Sequence, residues 1–341
     1  MAIQKKWRSL LIAVLLCACG HRKHIPDVSQ IPMDLHIDRF DQAFFALDTN
    51  QIAQSLRQLQ QEFPYFCNDF TSDILGAAPL SDTNTTAIFA CHQFLVSYLP
   101  VKDSLERKYP NLNWLEKDLD QAFRFIRYYF PQYNPPPHVV AFIGPFDAPG
   151  VAITRFTLAI GLQLYAGHNF AFYNSMEGQE LYPAYISRRF ERPYIPVNCM
   201  KAIAEDMFPD SSANLSLIGQ IVEKGKYWWL TDLFLPRTED SLKTGFSQKQ
   251  LDWCQANEGL IWNYVLQHED LYNIDPDVIK NYIGDSPSTP GMPDISPGNI
   301  GQWIGWKIVE KYVEDHPEAG PKEIMRMDPR KLFEESKYKP R

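Results

Sequence analysis

The residues best suited to metal binding or acid–base catalysis do not fall into a known pattern. The nearest approach to the HExxH zinc motif is His268-Glu269-Asp270-Leu271-Tyr272, in which tyrosine stands in place of the second histidine. The acidic pair Glu205-Asp206 offers proton-transfer groups, but acids near helix ends are usually solvated. The sequence has no Cys-x-x-Cys pair, no Gly-x-Ser-x-Gly motif and no glycine-rich phosphate loop. We therefore expect no metal, no cofactor and no catalytic residue.

A cysteine near the amino end indicates a different chemistry, thiol acylation. Residues 1–8 carry Lys5, Lys6 and Arg8 and no acid, residues 10–16 are apolar, and Leu16-Cys17-Ala18-Cys19 follows. This order is typical of a secretory signal, and the apolar run is too short to span a hydrocarbon core of about 30 Å. The last four residues resemble the lipobox of bacterial lipoproteins. We expect residues 1–18 to be the signal peptide and Cys19 the lipidated amino terminus, the alternative being a secreted protein with a chance cysteine.

Four further cysteines allow a disulfide but do not require one. Compartments outside the inner membrane are oxidising, and Cys67 and Cys91 lie in the same helical region, so these two form the candidate pair. In the alternative interpretation, Cys67, Cys91, Cys199 and Cys254 are all small buried hydrophobic residues.

Aromatic residues in the last third of the chain suggest either a large core or a contact surface for a partner. Trp303 and Trp306 flank Gly305, Trp262 follows Glu258 by one helical turn, and Lys226 follows a glycine. Tryptophan is common in protein cores and is also enriched at binding hot spots. We therefore take these six residues as structural or partner-binding candidates. A glycine such as Gly305 also allows close approach of a second backbone.

Composition and periodicity predict one large helical domain. The chain has 341 residues, 45% hydrophobic, with a net charge of −8, and this charge gives no support for nucleic-acid binding. Helical periodicity dominates before residue 131 and after residue 196, and short β-rich runs lie between residues 138 and 164. We predict a predominantly α-helical α+β fold with a small antiparallel sheet in the middle. Residues 19–35 form a polar spacer, and residues 36–341 form a single globular domain.

Several motifs resemble the gliding-motility lipoprotein GldB family over nearly the whole mature chain. The motifs are Ile160-Gly161-Leu162-x-Leu164-Tyr165-x-Gly167, Tyr182-Pro183-x-Tyr185-Ile186-x-x-Arg189-Phe190, Gly225-Lys226, Leu251-x-Trp253-x-x-x-Asn257-Glu258-x-x-x-Trp262, Pro297-Gly298-x-x-Gly301-x-Trp303-Ile304-Gly305-Trp306-x-Ile308-Val309-x-x-Tyr312 and Phe333-x-x-Ser336-Lys337-Tyr338-Lys339-Pro340. The resemblance implies a cell-envelope lipoprotein that works with a larger motility and secretion machinery, with no established enzymatic activity.

The order of elements is also remotely similar to that of zinc-dependent proteases with a helical HExxH core. If residues 203–208 occupy the place of that motif helix, Ala204 and Phe208 replace both histidines while Glu205 remains. Glu223 would then occupy the position of the acidic metal ligand that lies downstream of the motif in those proteases. Structural and catalytic zinc sites need three or four ligands. This resemblance therefore implies a protease-like scaffold that has lost its metal.

Together these features predict a non-catalytic binding or assembly component of gliding motility. Acylated Cys19 would hold the protein in membrane lipid, on the periplasmic side of the inner or outer membrane. Its partners would be proteins of the motility or secretion machinery and not nucleic acid. The alternative is an envelope hydrolase with a cryptic acidic site on the protease-like scaffold.

Overall fold

Two hydrophobic patterns divide the chain between helices and a short sheet. Apolar residues recur every three or four positions over most of the sequence, whereas residues 139–143 and 158–162 are continuously apolar apart from one glycine. A computed structural model describes residues 25–80 and 85–340. Over these residues the protein is predominantly helical with one small sheet, as the sequence predicts. The expected signal peptide and Cys19 lie outside the described residues.

The strands are β1 (Ile37–Arg39), β2 (His138–Phe142), β3 (Val151–Ile153) and β4 (Thr157–Gly161). The α-helices of the described ranges are α1 (Phe40–Phe45), α2 (Ile52–Glu62), α3 (Cys67–Asp69), α4 (Thr85–Lys108), α5 (Asn113–Tyr129), α6 (Met176–Leu181), α7 (Ala184–Ser187), α8 (Tyr194–Met207), α9 (Leu217–Phe234), α10 (Asp240–Thr244), α11 (Gln248–Ala256), α12 (Glu258–His268), α13 (Pro276–Ile283), α14 (Ile300–Asp315), α15 (Pro321–Arg326) and α16 (Pro329–Ser336).

The sheet is mixed, and this corrects the antiparallel sheet expected from the sequence. Its strand order is β1-β2-β4-β3, in which β2 pairs in parallel with both β1 and β4, and β3 runs antiparallel to β4. Strand β1 has only three residues and lies next to a helical pattern, so no alternation marks it. Strands β2 and β4 are buried along nearly their whole length. Central parallel strands are covered on both faces, which explains their continuous apolar runs.

A cluster of phenylalanine rings joins the amino-terminal helices to the sheet. The ring of Phe40 in α1 meets those of Phe63 and Phe66 edge to face, with centroids 5.3 and 5.0 Å apart. Phe66 in turn contacts Phe142 of β2, with ring centroids 5.7 Å apart. Aromatic pairs in such geometries contribute about 0.5–1.5 kcal/mol each beyond the area they bury. The aromatic residues thus fix the helical layer against the sheet.

Two helix boundaries differ from those that the sequence predicts. The sequence predicts one helix over residues 85–99 and another over residues 103–109. Helix α4 instead continues through Pro100, although an internal proline costs about 3 kcal/mol. Proline has no amide hydrogen to donate to the carbonyl oxygen four residues earlier, that of Val96, and Val96 is an exposed residue. Conversely, the predicted helix over residues 247–271 is divided at Asn257 into α11 and α12.

Helix α9 is at the centre of the carboxyl-terminal half. Nearly all of its residues are buried, and α8, α13, α14 and α16 pack around it. A helix that is covered on all sides is apolar around its whole circumference, as α9 is apart from a few polar residues. Despite its apolar length, neither α9 nor any other helix in residues 25–80 and 85–340 could cross a membrane.

The later part of the predicted spacer lies against the domain. Residues 25–36 contain no helix or strand, yet Val28 is buried, and Arg127 Nη1 donates a hydrogen bond to the carbonyl oxygen of Pro32 at 3.1 Å. The next contact is between the Ile37 amide and Glu116 Oε1, at 3.0 Å. The contacts of Pro32 and Ile37 thus attach this segment to α5.

Candidate functional site

The tryptophans predicted as structural or partner-binding residues lie inside the fold. Trp303 and Trp306 of α14 are 0% and 1% exposed, so neither is available to a partner on the surface. The Trp306 ring meets the Trp228 ring of α9 edge to face, with centroids 6.2 Å apart. Lys307 places its ammonium group 5.2 Å from the Trp306 ring centroid. These residues form the packing surface between α9 and α14.

Gly305 allows close backbone approach, but the second backbone belongs to the same chain. A Cβ atom on Gly305 would overlap the carbonyl group of Ile221 and would lie 3.1 Å from the Cα atom of Gly225. A Cβ atom on Gly225 would overlap the backbone of Gly305 in the same way. The two glycines therefore mark the point where α9 and α14 cross.

Lys226 binds the carboxyl-terminal segment to α9. Its side chain is 1% exposed, and Nζ lies 2.7 Å from Glu223 Oε2. Nζ also donates to the carbonyl oxygen of Met327 at 2.6 Å, just after α15. A buried ammonium group is tolerated only when it is paired and hydrogen-bonded. The arrangement satisfies this requirement and fixes the chain that leads into α16.

Glu258 and Trp262 also contact the carboxyl-terminal segment. Glu258 Oε1 accepts a hydrogen bond from the Tyr338 hydroxyl at 2.7 Å, and burial beside this carboxylate raises the pKa of Tyr338. The ring of Trp262 meets those of Phe333 and Tyr338 edge to face. Lys226, Glu258 and Trp262 thus share one structural role, which is to hold the last residues against the body.

The positions that the protease resemblance assigns to a former metal site do not converge. Ala204 is buried in the core, Glu205 is exposed on α8, and the nearly buried Glu223 is bound to Lys226. The ring of Phe208 packs on Phe130. Across the described ranges, no group of three or more His, Cys, Asp or Glu residues is placed to hold a metal ion.

The candidate disulfide between Cys67 and Cys91 is not formed in the structure. Both cysteines are free and buried, as are Cys199 and Cys254. Burial raises the pKa of both Cys67 and Cys91 to about 12. Because the thiolate is the reactive form, such thiols are inert, and the structure places all four cysteines as small buried residues, the alternative we considered.

A cleft between α7, α11 and the loop before α14 has an excess of positive charge, which the sequence analysis did not predict. We define the basic cleft by its ionisable lining residues, Arg188, Arg189, Lys249 and Asp285, which surround about 250 Å³. Arg188 Nε donates to the carbonyl oxygen of Tyr185 at 3.1 Å, and Nη2 donates to that of Gly245 at 2.7 Å. These bonds fix the guanidinium group in the wall.

The second arginine of the basic cleft is held between an acid and a glycine turn. Arg189 Nη2 lies 3.3 Å from Asp285 Oδ1, whose side chain is half exposed. Gly245 ends α10 with φ +73°, and a Cβ atom there would lie 2.9 Å from Arg189 Cδ. Glycine thus provides both the left-handed turn and the space for Arg189.

Lys201 on α8 lies near the basic cleft. Its side chain is partly buried, and Nζ is 5.9 Å from the ring centroid of Trp228. Loss of hydration, together with repulsion from Arg189, lowers the pKa of Lys201 to about 8, against the attraction of Asp285 and Glu205. Lys201 adds to the positive potential of this region when it is protonated.

Sequence reasoning missed the basic cleft because its full lining comes from four separate segments, residues 185–189, 244–250, 285–287 and 295–299. Arg188 and Arg189 are adjacent, but Lys249 and Asp285 follow about 60 and 100 positions later. One signal was present: Tyr185, Arg189 and Pro297-Gly298 belong to the motifs on which the family resemblance depends, and all four residues line the cleft.

Comparison with known proteins identifies the family. The structure defines the class of protein as a helical α+β domain. Its recognisable motifs lie in the core and at the basic cleft. A family model described as gliding motility protein GldB matches residues 21–340, nearly the whole chain, so the chain belongs to this family of gliding-motility lipoproteins. No curated protein matches the chain. No solved structure matches it either, so the resemblance to zinc proteases has no support.

Proposed function

We propose that this protein is a lipid-anchored, non-catalytic binding or assembly component of the bacterial gliding apparatus. The observation that carries the proposal is the family match over residues 21–340, which begins directly after the predicted signal peptide and Cys19. Its partners are proteins of the motility or secretion machinery. The protein lies in the cell envelope, on the periplasmic side of the inner or outer membrane.

The proposed anchor is the acylated Cys19. Each lipid CH₂ group buried in a membrane contributes about 0.8 kcal/mol, and one chain alone gives only marginal binding, so stable anchoring needs two or three. Replacing Cys19 with serine removes the acylated thiol. Cys17→Ser is a matched control, because that residue is lost with the signal peptide. We expect labelled palmitate to enter the wild type and Cys17→Ser, and the Cys19→Ser protein to leave the membrane fraction with loss of gliding. Unchanged labelling of Cys19→Ser would contradict the proposal.

The proposed non-catalytic role is supported by how the acidic residues are used. Glu223 is paired with Lys226 inside the fold, and Glu205 is exposed on α8. The hydrolase alternative requires Glu205 as its acid or base. We expect Glu205→Gln to leave gliding and protein level unchanged. Loss of gliding at a normal protein level, together with turnover of a substrate by the wild type, would favour the hydrolase instead.

A further inference from the structure

The basic cleft has a charge that the rest of the protein does not share. Its lining contains three cations, Arg188, Arg189 and Lys249, and one carboxylate, Asp285. The whole chain has a net charge of −8, so this local excess is opposite in sign to the average. Like charges that are held together cost free energy unless an anion offsets them.

The two arginines are positioned while part of their binding capacity remains free. Arg188 uses Nε and Nη2 on Tyr185, Gly245 and Gln250 Oε1. Its Nη1 group has no hydrogen-bond partner in the described part of the chain. Arg189 has one long contact with Asp285, at 3.3 Å. A guanidinium fork that is fixed in advance loses little entropy when it binds an oxyanion.

Lys249 faces the same cleft from the first turn of α11. It forms no ion pair within residues 25–80 and 85–340, and it is exposed. Ser247 caps α11, so the positive end of this helix opens at the cleft and adds to the field of the three cations. Ser286 and Thr244 also line the cleft, and their hydroxyl groups donate to the carbonyl oxygens of Ser288 and Asp240.

We propose that the basic cleft binds a compact phosphate monoester, as a free phosphorylated molecule or as the terminal phosphate of a lipid. A lining charge of three cations and one carboxylate leaves two positive charges, which match the −1.5 to −2 that a phosphate monoester carries at about pH 7. A single carboxylate would neutralise only half of this charge. The volume of about 250 Å³ accommodates a phosphate with a small substituent, but it is small for a drug-sized ligand.

The proposed site takes no lining residue from the expected signal peptide or spacer, because its lining comes from residues 185–189, 244–250, 285–287 and 295–299. It also agrees with two features of the wall. Gly245 leaves space for Arg189, and Arg189 and Arg188 lie side by side despite their repulsion. A bound dianion would relieve this repulsion and that with Lys201.

Titration of the full chain in detergent micelles and phosphate-free buffer tests the proposal. The probes are inorganic phosphate, glycerol 3-phosphate and acetate. We expect glycerol 3-phosphate and phosphate to bind and acetate to bind at least about tenfold more weakly. Arg189→Gln should weaken phosphate binding about tenfold, and Lys249→Gln severalfold. Lys322→Gln is a matched control, because it removes an exposed positive charge outside the cleft, and it should bind as the wild type does.

Two results would overturn the proposal. One is that no phosphate probe binds the folded wild type, and the other is that both cleft variants bind as strongly as Lys322→Gln. Lys249 is exposed, so its variant tests the site even if Arg189→Gln fails to fold. Flotation of the Cys19→Ser protein, which lacks the proposed acyl anchor, with phosphatidylcholine vesicles containing phosphatidic acid separates the two sources of phosphate. An Arg189-dependent gain over pure phosphatidylcholine supports the lipid, and glycerol 3-phosphate binding without this gain supports the free molecule.

Discussion

Gly225 and Gly305 lie face to face, with the Cα atom of Gly225 3.1 Å from where a Cβ atom on Gly305 would stand. No side chain fits between α9 and α14 at this point. The crossing brings Trp228 and Trp306 together and lets α9 be covered on all sides. The stability of the carboxyl-terminal half therefore depends on glycine at both positions, because no side chain larger than a hydrogen atom fits there.

Gly305→Ala should destabilise the protein by about 3 kcal/mol or more, because the new methyl group meets the backbone of Ile221, which cannot rotate away. This loss exceeds the gain of about 1 kcal/mol that alanine brings within a helix. Denaturant unfolding measures the difference. Gly320→Ala is the control, since a Cβ atom there has open space. Equal stability of the two variants would mean that the helices can separate at the crossing without cost.

Lys226→Ala should cost about 3–5 kcal/mol, because it leaves Glu223 charged and without its partner in a buried place. It should also raise the hydrogen exchange of residues 325–340, which lose the bond from Nζ to Met327. Lys224→Ala is a close control on the same helix. Its partner Asp210 is about one-third exposed, so the expected loss is at most about 1 kcal/mol. If Lys226→Ala raised hydrogen exchange in α9 alone, Lys226 would not be the link to the carboxyl-terminal segment.

Lys201 should lower stability at neutral pH. Its pKa is about 8 in the folded protein against 10.5 as the ordinary value, so between these limits the unfolded chain holds a proton that the folded chain releases. The contribution of Lys201 to the free energy of unfolding therefore rises with pH from about 8 to 10.5. We expect Lys201→Met to be more stable than the wild type by about 1–3 kcal/mol at pH 7. This advantage should shrink towards pH 10, whereas a difference that is constant with pH would show that Lys201 acts through packing alone. Exposed Lys322→Met provides the reference.

The cysteines should behave as inert core residues. With the pKa of Cys67 and Cys91 near 12, iodoacetamide should leave them unmodified in the folded protein at pH 8 and modify them after unfolding. Addition of a reductant should not change the unfolding temperature. A fall of several degrees with reductant would instead indicate that a disulfide forms between the two after secretion.

The sequence predicted those features that depend on local patterns. The periodicity of one apolar face and the proline at position 131 predict a helix over residues 113–130, and helix α5 spans Asn113–Tyr129. Strands β2 and β4 were visible as apolar runs between turn residues. In each case neighbouring residues carry the whole signal, so no knowledge of distant contacts was needed.

The features that escaped prediction depend on contacts between distant residues. Strand β1 pairs with Val139, about 100 residues further on, and nothing in Ile37-Asp38-Arg39 alone indicates that partner. Helix α4 continues past Pro100 because the rest of the helix is held by its packing. Trp303 and Gly305 belong to the motifs that carry the family resemblance. The sequence left open whether they would contact a partner protein or α9. The basic cleft, which combines four segments, could be recognised only after they were brought together.

The hydrogen bond from Arg127 to Pro32 and the burial of Val28 attach the amino-terminal segment to the domain. They therefore limit the distance between the domain and the proposed anchor. If Cys19 carries the proposed lipid, eight residues separate it from Val28, the first buried residue of the described chain. An extended chain covers at most about 3.5 Å per residue, so these nine Cα–Cα steps span at most about 30 Å. Under the proposed anchoring, Val28 therefore stays within about 30 Å of the lipid surface, and the domain works beside the membrane that holds it.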